Sequence, residues 1–357
     1  MIKLEGIFKT YPGSQHAAVN NLNLVINKSE FCTFVGPSGC GKTTILRMIN
    51  QLDIPDAGQV YVENKLLSQS DIIQVRRQIG FVMQNAALFP HRTVFRNIAT
   101  VPLLCGWDRD RIAERIEALV DLMSLDRSLL QRYPHELSGG QQGRVAIARA
   151  LAADPPILLM DEPFAAIDPI VRDKLQGELL HIQQRLKKTI VLVTHDINEA
   201  IRLGDRIAIF QQGGKLVQYD TPDHILANPA NDFVRQFIGP EANLRRLERI
   251  VVSSTPQYDV PLAGSPSLQD ISPHPQLAHA PVLVLDDNWQ PLHWQTEGTP
   301  PPQTIGLQES LRFACNQLLT APHGLLVKTD DEGRYCGVLS LALLNQSLDT
   351  HREEIRR

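Results

Sequence analysis

The segment Gly36-Pro37-Ser38-Gly39-Cys40-Gly41-Lys42-Thr43 carries the residue types needed to grip a polyphosphate. Its glycines let successive backbone N–H groups turn inward around phosphate oxygens, and a helix that follows turns the positive end of its dipole to the same charge. Lys42 is spaced to reach the terminal phosphates and Thr43 to ligate Mg2+. The flanks agree: a strand-like run, Phe31 to Val35, leads in, and a helix-like run opens at Thr44.

Two further segments extend that chemistry. Leu137-Ser138-Gly139-Gly140-Gln141 stands before the helix-like run Arg144 to Leu151, and a Ser with paired glycines suits a second phosphate site at a helix N-terminus. Ile157-Leu158-Leu159-Met160-Asp161-Glu162 reads as a buried strand of a parallel sheet that ends in two carboxylates. One carboxylate can hold a hydrated Mg2+ while the next polarises water for attack on a terminal phosphate. Taken singly, Ser-Gly-Gly is also a flexible turn and Asp-Glu a solvated loop; their order and spacing favour the phosphate reading.

With these residues in place the chain resembles the ATP-binding-cassette (ABC) ATPases over roughly residues 1–239. The resemblance implies a P-loop NTPase fold of the α/β class, a RecA-like core plus a helical subdomain, followed by a smaller α+β C-terminal domain. It also implies ATP and Mg2+ as cofactors. Tyr11 becomes the aromatic that stacks on adenine, and Gly36, Pro37, Ser38, Gly39, Cys40, Gly41, Lys42, Thr43 and Thr44 the loop that binds the phosphates. Gln84 becomes the Q-loop glutamine, which with Thr43 and Asp161 serves the metal. Ser138, Gly139, Gly140 and Gln141 form the signature, Glu162 is the catalytic carboxylate, Asp168 the D-loop aspartate and His195 the switch histidine. His195 follows the strand-like run Thr189 to Val193, so it stands at a strand's carboxyl end, where open α/β sheets bind ligands. Two phosphate-binding motifs in one chain lie too far apart to grip one ATP. The family geometry therefore implies a head-to-tail homodimer in which each chain completes the other's site.

Composition agrees with a cytosolic motor subunit. No run approaches the ~20 apolar residues needed to cross a bilayer, and Met1-Ile2-Lys3-Leu4-Glu5 lacks a signal-peptide pattern. Five cysteines with no CxxC pair indicate neither a zinc site nor a disulfide framework. A net charge of −4 without a basic block argues against a nucleic-acid partner. Membrane contact must then run through protein, which places the chain on the cytoplasmic face of the membrane.

Strand-like runs alternate with helical patterns over residues 1–84 and 155–239, the mark of a doubly wound sheet. The helical subdomain, about 85–154, reads as helices over Thr93 to Leu104, Arg109 to Met123 and Arg144 to Ala153. Ile112, Ile116, Leu119 and Val120 are placed there as an internal core stripe. Leu88-Phe89-Pro90-His91, within Asn85 to Phe95, is the candidate contact with a membrane-embedded permease. Near Gly239-Pro240 the alternation stops, and twelve of the 24 prolines follow residue 239, so a second domain, 240–357, begins there. It shows a weak repeat, Val282 to Trp289 and Leu325 to Gly333, each an apolar strand running into an acidic turn. Leu307 to Leu319 reads as a helix between them, and Cys336 to Leu341 closes the second copy. This resembles a degenerate tandem pair of cystathionine-β-synthase (CBS) modules; an unrelated accessory domain or a partly disordered tail is the other reading.

Around the motifs, Leu88 to His91, Arg132-Tyr133-Pro134-His135-Glu136, Asp168-Pro169-Ile170-Val171-Arg172-Asp173 and Asn231-Asp232-Phe233-Val234 resemble the ATPases of osmoprotectant importers. That group takes up glycine betaine, choline and proline betaine through permease subunits served by a solute-binding protein. Gly143, Ala165 and Ile167 depart from its pattern, which usually has Gln, Gly or Ser, and Leu there. An importer of another small molecule, an amino acid or a polyamine, is the alternative within the family. A non-transport ABC ATPase is a more distant one, since the chain has neither a second cassette nor a coiled-coil insertion.

Overall fold

The structure, a computed structural model of the chain, is described over residues 1–165, 167–264, 273–296 and 298–345. It divides into two compact units, Met1–Ile225 with Pro229–Phe237, and Leu226–Asn228 with the chain from Ile238 onward.

The first unit opens with Ile2–Lys9 (β1), Val19–Ile26 (β2), Phe31–Val35 (β3), Lys42–Ile49 (α1), Ala57–Val62 (β4), Lys65–Leu66 (β5), Ile72–Arg77 (α2) and Ile79–Val82 (β6). Helices Val94–Ile98 (α3), Thr100–Leu104 (α4), Arg109–Leu122 (α5) and Gly139–Leu151 (α6) follow. Then come Ile157–Asp161 (β7), Pro169–Leu186 (α7), Thr189–Thr194 (β8), Ile197–Leu203 (α8), Arg206–Gln211 (β9), Lys215–Asp220 (β10), Pro222–Ala227 (α9) and Asp232–Ile238 (α10). One six-stranded sheet has the order β10-β9-β3-β8-β7-β6, parallel throughout except for β10. Every residue of β3 and β8 is buried, which is why both read as unbroken apolar runs.

Here the reading of one doubly wound sheet needs correction. β2, β1, β4 and β5, in that order, form a separate antiparallel sheet. Its physical basis is alternation: in β2 Val19, Leu22, Leu24 and Ile26 are buried while the asparagines between them are exposed. One buried face suits an antiparallel sheet, and that face packs with Phe34, Ile45 and Leu46 over α1.

The helical segment has its own core, in which Ile112, Ile116, Leu119 and Val120 are all buried with Val145, Ile147 and Leu151 of α6. The single helix expected over 93–104 is two, because Pro102 has no N–H to offer the carbonyl of Ile98. The helix expected from Arg144 begins earlier, at Gly139. Ser138 is its N-cap, and a reciprocal capping box with Gln141 closes the first turn.

In the second unit Ala242–Arg249 (α11) leads into Leu262–Ala263 (β11), Leu283–Leu285 (β12) and Pro291–Trp294 (β13). Thr304–Gly306 (β14), Leu311–Leu318 (α12), Leu325–Thr329 (β15) and Tyr335–Ser340 (β16) follow. Sheets β11-β12-β13 and β14-β15-β16 share one plan: a parallel pair, then an antiparallel hairpin. Their turns match in detail. Asp286 Oδ1 accepts from Asn288 N at 2.9 Å and Gln290 N at 2.8 Å, and Asp330 Oδ1 accepts from Glu332 N at 3.0 Å and Arg334 N at 2.9 Å. Part of the proline-rich stretch between β11 and β12, residues 265–272, lies outside the described residues.

Both large cores of the first unit are built from residues before 240. A fragment of residues 1–239 should therefore melt cooperatively with a near-ultraviolet spectrum of fixed aromatic packing. A fragment that is insoluble, or that melts without a cooperative transition, would show that folding needs the second unit.

Candidate nucleotide site

Between β3 and α1 the chain makes a loop that only glycine permits at two points. A Cβ on Gly36 (φ +155°) would stand 2.3 Å from the carbonyl oxygen of Phe210, and one on Gly41 (φ +107°) 2.2 Å from that of Ala18. Gly41 is also the N-cap of α1 and brings no side chain to it, so the first N–H groups of that helix are left for an anion. Gly214 N fastens the loop by donating to Cys40 O at 2.7 Å. The Lys42 ammonium is buried, donating to the carbonyls of Gly36 at 2.7 Å and Pro37 at 3.0 Å. Tyr11, partly exposed, lies beside the same helix: its hydroxyl donates to Asp53 Oδ2 at 2.8 Å and is 3.3 Å from Thr44 Oγ1.

The carboxyl ends of β6, β7 and β8, neighbours in the sheet, converge beside the loop. Thr43 Oγ1 donates to Asp161 Oδ1 at 3.0 Å, which ties the first turn of α1 to the end of β7. Burial pushes the Asp161 carboxyl up from its ordinary value, and the Thr43 hydrogen bond opposes it. Glu162 then takes a left-handed backbone conformation, φ +45°, uncommon for any residue but glycine, and its N–H donates to Val193 O at 3.0 Å. That turn aims its side chain at two others. Gln84 Nε2 donates to Glu162 Oε2 at 3.1 Å, and His195 Nδ1 stands 3.3 Å from the same oxygen. Three strand ends thus present an amide, a carboxylate and an imidazole to one point, with Asp161 and Thr43 alongside.

Ser138, Gly139, Gly140, Gln141 and Asp168 are arranged differently. Gln141 N donates to Ser138 Oγ at 3.3 Å and Ser138 N to Gln141 Oε1 at 2.9 Å, so these two residues satisfy each other at the head of α6. Ser138 and Gly139 are exposed. Asp168, also exposed, caps α7 through Ile170 N at 3.0 Å. Two of the departures, Gly143 and Ile167, face one another: a Cβ on Gly143 would come within 3.2 Å of Ile167 Cδ1. They border a cleft of 230 Å³ that Gln84 and Gly139 also line.

Two residues that sequence reasoning passed over shape the Gln84 side. Arg149 of α6 donates to the carbonyls of Ala86 and Ala87, each at 2.7 Å, and pins a turn in which both alanines have positive φ. Burial lowers the Arg149 pKa from its ordinary value. Asn97, fully buried, accepts from Phe89 N at 2.8 Å and donates to the carbonyls of Phe89, Arg92 and Thr93. Their only signal was a polar group at an apolar position of a helical pattern. Of the candidate permease contacts, Leu88 and Phe95 pack inward on the helical core while Phe89 and His91 are exposed.

The ABC transporter family profile matches residues 19–165. The osmoprotectant import ATP-binding protein OsmV of Salmonella typhimurium is 40% identical, over 99% of this chain and 97% of its own length. The chain belongs to the ABC transporter ATP-binding proteins. It is an ATPase. The choline transport ATP-binding protein OpuBA of Bacillus subtilis is 50% identical over 72% of this chain and 66% of its own. Among solved structures, the ATP-binding cassette MJ0796, a dimer bound to ADP and phosphate in a post-hydrolysis state, superposes with a TM-score of 0.57 at 37% identity. It covers 62% of this chain and 98% of its own.

For this ABC ATPase, Glu162→Gln should leave ATP affinity intact and lower turnover by about 10² to 10⁴, the usual worth of a positioned base. Steady-state phosphate release at saturating Mg-ATP is the check, and near-normal turnover would remove Glu162 from the reaction.

Proposed function

We propose that this chain is the ATP-hydrolysing subunit of an importer for compatible solutes such as glycine betaine or choline. It works as a head-to-tail homodimer beneath permease subunits that receive solute from a binding protein. The observation that carries the solute class is the likeness to an osmoprotectant import protein along the whole chain, the second unit included. Attachment runs through the permease at the cytoplasmic face; among the described residues no helix is long and apolar enough to cross a membrane.

In this reading the N–H groups of the loop and of α1, with the Lys42 ammonium, receive the β- and γ-phosphates, and the ring of Tyr11 stacks on the adenine. The oxygens of Thr43, Asp161 and Gln84 make a hard donor set that fits Mg2+. An ion held by these three side chains takes its remaining ligands from phosphate and water. Mg2+, when bound, neutralises charge that builds on the β- and γ-oxygens. Glu162 orients the attacking water and accepts its proton at Oε2, the oxygen on which Gln84 and His195 converge. His195 donates a hydrogen bond to the γ-phosphate and carries no metal. The signature residues Ser138 to Gln141 cover the γ-phosphate of the partner chain, and Asp168 lies at the junction between the two sites.

The second unit we read as a degenerate pair of CBS-like modules, supported by two sheets of one plan with matching Asx turns. Its place is regulatory, in dimerisation or in gating transport by osmotic or ionic conditions.

Uptake of labelled glycine betaine and choline tests the solute class, in cells whose only route for them is the complete system. Lys42→Ala in this chain should abolish uptake of at least one. Unchanged uptake of both, with loss of an amino acid or polyamine instead, would contradict the assignment.

A further inference from the structure

Glu199, on α8, is a buried carboxylate that no step above uses. Its two oxygens face two parts of the site. Thr194 Oγ1, on the residue just before His195, donates to Oε2 at 2.6 Å and itself accepts from Asp196 N at 3.0 Å, so the Thr194 hydroxyl brackets the histidine. On the other side, Oε1 accepts from Gln176 Nε2 at 3.2 Å and lies 3.9 Å from Arg172 Nη1. The second arm of Arg172, Nη2, donates to the carbonyl of Ile167 at 3.1 Å, next to Asp168. Gln176 is fixed in turn by Arg202, which donates to Gln176 Oε1 at 2.9 Å and to Asp173 Oδ1 at 2.8 Å. A chain of hydrogen bonds, closed by the Glu199–Arg172 ion pair at 3.9 Å, therefore runs from the backbone that presents His195 to the segment that ends in Asp168.

We propose that Glu199 and Arg172 are positioning residues for ATP hydrolysis, coupling the placement of His195 to that of the Ile167–Asp168 segment. This rests on the reading of Glu162 and His195 given above. Burial raises the Glu199 carboxyl from its ordinary value, the Thr194 hydroxyl opposes that shift, and Arg172 is the cation that favours the charged form. A charge held at such a place is costly unless each lone pair is used, and here each oxygen is directed at a different element of the site. The link also bears on the Gly143 and Ile167 departures: Ile167 lies in the core cluster that holds Val145 and Ala146 of α6, and its carbonyl is the far end of the same chain.

The test uses Glu199→Gln and Arg172→Gln in the full-length protein, each nearly isosteric or shorter than the side chain it replaces. A fluorescent ATP analogue counts binding-competent sites and their affinity, and phosphate release gives turnover per site. Turnover per site should fall about tenfold or more in each variant, as a slight misplacement of reacting groups does, with affinity within about twofold. The double variant should be no worse than the more impaired single, since both cut one chain. Turnover per site within about twofold of the unaltered protein in either variant overturns the proposal. So does a loss that only tracks the number of binding-competent sites, which would mark a purely structural role. Glu162→Gln, run alongside, separates the two possible failures: if it also hydrolyses normally, the reading of Glu162 and His195 falls, and if it is inactive only the link is wrong.

Discussion

A phosphate chain is received by backbone N–H groups that nothing else has claimed, and the arrangement of this molecule follows from where such groups are left. α1 begins at a glycine with no capping side chain. α6 begins with Ser138 and Gln141 already bonded to each other. The two helix starts are therefore unlike: one is uncapped and built into the sheet end, the other exposed, with its Gln141 N–H capped by Ser138. A single chain holds the receptor together with Asp161, Glu162, Gln84 and His195. It carries the exposed start of α6 on a different element, and in the proposed head-to-tail pairing a second chain supplies what covers the receptor.

The receptor itself depends on the parallel sheet. Because β6, β7 and β8 are adjacent, the residues that follow them arrive at one place although 78 positions separate Gln84 from Glu162. The left-handed turn at Glu162 is the local cost of aiming that carboxylate between Gln84 and His195 rather than along the strand. Such strain persists because the surroundings hold it, here the Glu162 N–H on Val193 O from the neighbouring strand.

Much of this was legible from residue types and spacing. The glycine loop, the Asp161-Glu162 strand end and the histidine after β8 are short-range patterns, each carried by a few consecutive residues. What escaped was non-local or structurally ambiguous. The antiparallel sheet of β1, β2, β4 and β5 was folded into the parallel one because its strands alternate with loops much as βα units do, and only face-by-face burial separates them. The start of α6 was placed late because glycines at 139, 140 and 143 weaken a helical pattern that the Ser138 capping box in fact initiates. Arg149, Asn97 and Glu199 act through carbonyls and hydroxyls outside their own helices, and a lone polar residue on a helix gives no sign of which group it will hold.

The account turns on each ATP site being shared by two chains, and complementation tests this most directly. Lys42→Ala and Ser138→Arg chains, tagged differently and isolated as the mixed dimer, should hydrolyse ATP although each variant alone does not, since one of the two shared sites then contains Lys42 from one chain and Ser138 from the other. A mixed dimer as inactive as its parents would contradict the head-to-tail arrangement.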